Sequence, residues 1–91
     1  MKTKWRLKEF YCAEFNSIMY IIQYKKWFFW NNFKLSMFLV CHEIVAHQII
    51  GIDIVFYLKT DAIKIVNAYK KYTDRLNSDK KVNYIDLIPK E

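Results

Sequence analysis

An α+β fold is what this chain predicts, and three observations carry it. From Thr3 to Lys25, apolar and polar residues alternate with the two-residue period of strands. Residues 61–76 instead repeat their apolar positions at helical spacing. Between these regions, Ile52 to Leu58 is β-branched and aromatic, the composition of a buried strand. The expected architecture is an antiparallel sheet of three or four strands with a C-terminal amphipathic helix packed on one face. A second helix in the middle of the chain is an open alternative.

Each element has its own local reason. Trp5, Leu7 and Tyr11 oppose Arg6, Lys8 and Phe10, which describes a half-buried strand. Glu14 to Ser17 is polar enough to turn the chain. Ile18, Tyr20, Ile22 and Tyr24 then oppose Met19, Ile21, Gln23 and Lys25, so a hairpin is expected from Thr3 to about Lys26. Ser36 to Gly51 reads two ways. Ser36 as a cap, a stripe of Met37, Val40, Cys41, Ile44, Val45 and Ile49, and Gly51 just past the end suit a helix. Its β-branched residues and the short glycine-containing link to the next run suit a strand equally, and residues 36–50 stay open between the two.

The last helix is the clearest element. Thr60 is placed as the N-cap, with the Asp61 carboxylate in the positive first turn. Ala62, Ile65, Val66, Tyr69, Tyr72 and Leu76 form the inner face, while Lys64, Asn67, Lys70, Lys71, Asp74 and Arg75 take the outer one. Asn77 is placed to close it. The tail Val82 to Ile88 is expected to add an edge strand or to drape over the sheet, with Pro89 ending it.

Ninety-one residues are read as one domain, 1–91. A chain this small buries only roughly 60% of the surface it exposes when unfolded, so its core is thin. Yet 19% of its residues are aromatic, more than one thin core can hold, and binding a partner or another copy is the natural outlet. The net charge of +6 allows attraction to nucleic acid, an acidic partner or an anionic surface. Thirteen of the fifteen basic residues are Lys and only Arg6 and Arg75 are Arg, which weakens the nucleic-acid reading because base and phosphate recognition leans on the planar guanidinium. Phe, Tyr, Ile, Asn and Lys are also the residues that AT-rich codons supply. Cys12 and Cys41 are expected to be free thiols in a reducing cytoplasm. Lys34, Glu43, His47 and Asp53 interrupt the most apolar region, so no membrane span is expected.

Motifs for catalysis are weak. His42-Glu43-Ile44-Val45-Ala46-His47 resembles a zinc-protease helix until its spacing is counted, since that motif needs imidazoles four apart and these are five apart. A metal site drawing Cys41 and His42 together with Cys12 is weighed against two thiols that simply fill apolar space. With a single glycine there is no phosphate-cradling loop. No enzyme, metal or cofactor is expected.

The binding candidates lie in the densest aromatic stretch, where seven rings fall between Tyr20 and Phe33. Tyr24, Lys25, Lys26, Trp27, Phe28 and Trp30 are the selected residues. Rings interleaved with Lys can stack bases and hold phosphates, or can anchor in a protein groove. Four consecutive aromatics, Trp27 to Trp30, cannot all face inward from a strand, so part of this run is expected at an interface. The distinguishing feature is placement: lysines and rings on one exposed strip favour nucleic acid, and a bare apolar patch favours protein.

The Lys4-Trp5-Arg6 opening, the run Tyr24 to Trp30, and the passage Leu58-Lys59-Thr60-Asp61-Ala62 together resemble small phage proteins encoded by AT-rich genomes. They cover about a third of the chain. The resemblance implies a setting in the host cytoplasm and a role in binding and inhibiting a host or defence protein. It implies no particular site residues. A protein-binding module is therefore the leading expectation, with a nucleic-acid-binding accessory protein as the alternative.

Overall fold

The computed structural model describes residues 3–78. The predicted tail strand at 82–88 and Pro89 lie outside the described residues. The fold is α+β. Strands β1 (Lys4–Cys12), β2 (Ser17–Lys26) and β3 (Phe29–Asn32) are followed by a short helix α1 (Leu35–Leu39), strands β4 (His47–Ile50) and β5 (Asp53–Phe56), and the long helix α2 (Lys59–Ser78). The sheet is antiparallel with the order β1-β2-β5-β4, and β3 pairs with the far end of β2. It has five strands, not three or four. The extra strands, β3 and β4, are four residues each, too short to show a period in sequence.

The predicted hairpin forms in unbroken register from Lys4 opposite Lys25 to Cys12 opposite Ser17. Asn16 carries φ 47° in the connecting turn, a conformation Asn tolerates, and its N–H reaches the Ala13 carbonyl at 3.3 Å. Because the register is unbroken, alternation sends Trp5, Leu7, Tyr20 and Ile22 to one face, and Arg6, Phe10, Met19 and Gln23 to the other.

The two faces carry different cores. On one, α1 and α2 cover Ile22, Phe33, Phe38, Ile54 and Phe56 with Ala62, Ile65 and Val66. Rings meet at angles aromatic pairs favour: Phe33 and Tyr69 edge to face at 5.4 Å, and Phe38 stacked on Phe56 at 5.9 Å. Phe33 locks the junction of three strands. Its N–H donates to the Ile22 carbonyl at 2.8 Å and its carbonyl accepts from Ile54 N–H at 3.5 Å, with its ring fully buried. The opposite face holds a smaller cluster, Cys12, Met19 and Val55 flanked by Phe10, Phe15, Ile21 and Tyr57, to which neither helix contributes.

Some local boundaries differ from those the sequence predicts. Residues 36–50 are neither one helix nor one strand. They split into the end of α1, a loop with His42 at φ 52°, and β4. Ser36 sits inside α1, whose N-cap Lys34 makes no side-chain cap bond, so nothing sustains a longer helix into the β-branched Ile44-Val45 stretch. Thr60 is likewise within the first turn of α2, since the Ala62 N–H already bonds the Leu58 carbonyl at 3.2 Å. The backbone of α2 continues helical through Asn77 to Ser78. Leu76, assigned to the inner face, is 46% exposed.

Candidate docking site

Strand β2 turns into β3 through two residues. Lys26 opposite Phe29 is the last pair, leaving Trp27 and Phe28 as the loop. Trp27 has φ 62° and Phe28 does not share the left-handed region, the pattern of a type II′ hairpin turn. That first loop position is normally glycine, since a side chain there crowds the following carbonyl at a cost of roughly 1–2 kcal/mol. Trp27, Phe28 and Phe29 are 81%, 85% and 74% exposed, so three adjacent rings project from the tip into solvent.

Below the tip, alternation divides the remaining selected residues. Tyr24 turns to the helix side and packs on Trp5 at 5.9 Å, with Trp5 edge-on to Tyr69 at 5.8 Å. Lys25 and Trp30 face the other way, and the Trp30 ring lies 4.0 Å from the Arg6 guanidinium and 6.0 Å from the Lys25 ammonium. Lys26 is exposed beside the tip. An open groove of about 960 Å³ runs from the hairpin base to α2, lined by Trp5, Tyr24, Lys26, Lys34, Tyr69 and Lys70 among others. Burial, with a smaller contribution from Tyr24, pushes the Tyr69 phenol up.

The six selected residues therefore do not form one patch. Trp27 and Phe28 are joined by Phe29, which the initial selection omitted although it stands in the same aromatic run. Tyr24 belongs to the covered face and Trp30 to the open one. What sequence reasoning missed is Arg6 over Trp30, a contact set by strand pairing between residues far apart in the chain.

A polar chain anchors the hairpin base. Arg6 Nε donates to Gln23 Oε1 at 2.7 Å, Gln23 Nε2 to Asn32 Oδ1 at 2.8 Å, and Asn32 Nδ2 to Asp53 Oδ2 at 3.1 Å. A cation on β1 and a carboxylate on β5, with β2 between those strands, are linked through two amides, all donors pointing one way, an arrangement in which each bond polarises the next.

The residues weighed for catalysis are dispersed. Residues 42–46 form a loop with no helix to align two imidazoles, and His47 lies in β4 with its ring 4.6 Å from Phe38. Cys12 and Cys41 sit in clusters on opposite faces of the sheet. Burial, reinforced by Glu43, pushes the Cys41 thiol up to about 11, which keeps it protonated and a poor nucleophile at neutral pH. Among the described residues, no helix is long and apolar enough to cross a membrane. No protein-family model matches the chain, and comparison with curated proteins and with solved structures finds no match.

Proposed function

We propose that the protein is a small non-catalytic binding module that docks a protein partner through the Trp27-Phe28-Phe29 tip, in the manner of a phage-encoded inhibitor of a host or defence protein. The observation that carries this reading is the tip itself. Three adjacent rings stand in water, and the first occupies a backbone conformation that its side chain makes costly. Neither feature helps the chain fold. Large aromatic side chains with few rotatable bonds are the residues that dominate protein interfaces, and strained backbone concentrates at functional loops.

The surroundings indicate the partner's chemistry. Lys25 and Lys26 flank the tip, while Lys34 and Lys70 line the groove behind it. A partner offering an apolar cleft edged with carboxylates matches this pattern, the rings supplying most of the affinity and the lysines speeding encounter. The test is capture from nuclease-treated host lysate with the wild-type chain and a W27G/F28S variant, which restores the residue types a type II′ turn prefers. The expected result is a protein retained by the wild type and lost by the variant. Equal retention by both would refute the assignment, and so would loss of tip-dependent binding to protein in favour of flotation with lipid vesicles. Solution mass across concentrations, measured on the same pair, decides whether the partner is a second copy of this chain.

A further inference from the structure

The sheet face away from the helices points to a second site. We infer that the β1–β2–β3 part of this face binds single-stranded nucleic acid, with Lys4, Arg6, Lys8 and Lys25 on the phosphates and Trp30 offering its ring to a base. This surface excludes the tip rings, shares only Lys25 with the edge of the docking site, and goes beyond the protein-docking reading.

The unbroken register fixes the placement. Arg6 faces away from the helices, as its contacts to Gln23 and Trp30 show, and Lys4 and Lys8 flank it at two-residue intervals on the same strand. Alternate residues on a strand stand roughly 6.6 Å apart, so the three cations form an evenly spaced row comparable to the phosphate repeat of an extended strand. Lys25, paired with Lys4 and Trp30, adds a fourth charge next to the ring. Lys4, Arg6 and Lys8 are all exposed. Against these four cations the same part of the face carries one carboxylate, Asp53, and Asn32 already donates to it. Glu9 and Tyr20 lie on the opposite side.

Arg6 is pre-positioned for the task. Its Nε is held by Gln23 and its plane lies over Trp30, while among the described residues its terminal nitrogens take no hydrogen-bond partner. An orientated guanidinium on an aromatic ring gives up little freedom on meeting a phosphate. A flat basic face carrying a half-buried ring, one face of which lies under Arg6, suits unpaired bases, whose π-faces stack without regard to sequence. A duplex hides those faces.

The experiment measures affinity for a labelled oligo-dT of about 20 nucleotides, with a duplex of the same length and poly-glutamate as competitors, across a salt series. Four neutralised phosphates predict a slope of log affinity against log salt of about −2.8, and Lys4→Ala or Lys8→Ala should each make it shallower by about 0.7. Trp30→Leu should weaken binding by about 5- to 150-fold, the usual effect of losing one stacked base. Lys64→Ala, exposed on α2 beside Glu43, should change nothing. The exposed lysine variants keep the test independent of folding. The proposal fails if the duplex or poly-glutamate competes as well as the single strand, if no binding appears at low salt, or if the slope ignores Lys4 and Lys8. Binding that is lost in W27G/F28S but kept in Lys8→Ala would move the site to the tip and overturn it as well.

Discussion

Two hairpin loops in this protein share a length and a backbone signature yet differ in every side chain. Between β4 and β5, Ile50 pairs with Asp53 around Gly51-Ile52, and Gly51 takes φ 65°. Between β2 and β3, Lys26 pairs with Phe29 around Trp27-Phe28, and Trp27 takes φ 62°. The first loop obeys turn chemistry, because glycine visits the left-handed region without a side-chain penalty. The second places one of the largest side chains in the same conformation and leaves it in water. The same loop length and the same positive φ, reached with the suited and the unsuited residue, set what turn chemistry favours beside what it merely tolerates. The proposed docking role gives Trp27 a reason that turn chemistry does not supply.

The largest expected effect lies at the base of the aromatic hairpin, where the fold does depend on a ring. Phe33→Ala should cost about 3–5 kcal/mol in urea unfolding, since Phe33 is fully buried at the junction of β2, β3 and β5. A loss below about 1 kcal/mol would mean that base and tip are equally dispensable, and the contrast would collapse. Next comes the polar chain under the hairpin. Gln23→Leu leaves Arg6 Nε and Asn32 Oδ1 without their partner and should cost about 1–3 kcal/mol by the same measurement. A neutral result would show that water replaces Gln23 and that the chain does not brace the hairpin.

The regular loop supplies a finer test. A Cβ added at Gly51 meets nothing within 4 Å, so Gly51→Ala isolates backbone strain from steric clash. Left-handed strain costs roughly 1–2 kcal/mol and the stiffer unfolded chain returns roughly 0.5–1, so a net loss of about 0.8 kcal/mol is expected. No loss would imply that the left-handed position is cheap here, and the tension assigned to Trp27 would shrink with it.

Much of this was legible beforehand, for reasons that particular residues make plain. The alternation from Trp5 to Tyr24 set the first hairpin and its two faces because a two-residue period leaves no other choice once one face is buried. The stripe Ala62, Ile65, Val66 and Tyr69 identified α2 in the same way. The middle of the chain was opaque because Leu35–Leu39 is a single turn and His47–Ile50 only four residues, both set by packing against neighbours distant in sequence. At the candidate site, geometry predicted that Trp27 to Trp30 could not all face inward. It did not locate the turn, because nothing in Trp-Phe announces a hairpin loop that glycine usually makes. The open-face row of Lys4, Arg6 and Lys8 was visible as alternation, but its meeting with Trp30 depended on the pairing of β1, β2 and β3.

The most direct test of the central claim is the unfolding free energy of Trp27→Gly. Removing a side chain from the left-handed region recovers roughly 1–2 kcal/mol, and the greater freedom of unfolded glycine takes back roughly 0.5–1. The account predicts a variant as stable as the wild type, or more stable by up to about 1.5 kcal/mol, although it has lost an entire indole ring. A loss of more than about 1 kcal/mol would contradict it, because Trp27 would then serve the fold and its exposure would need no partner to explain it.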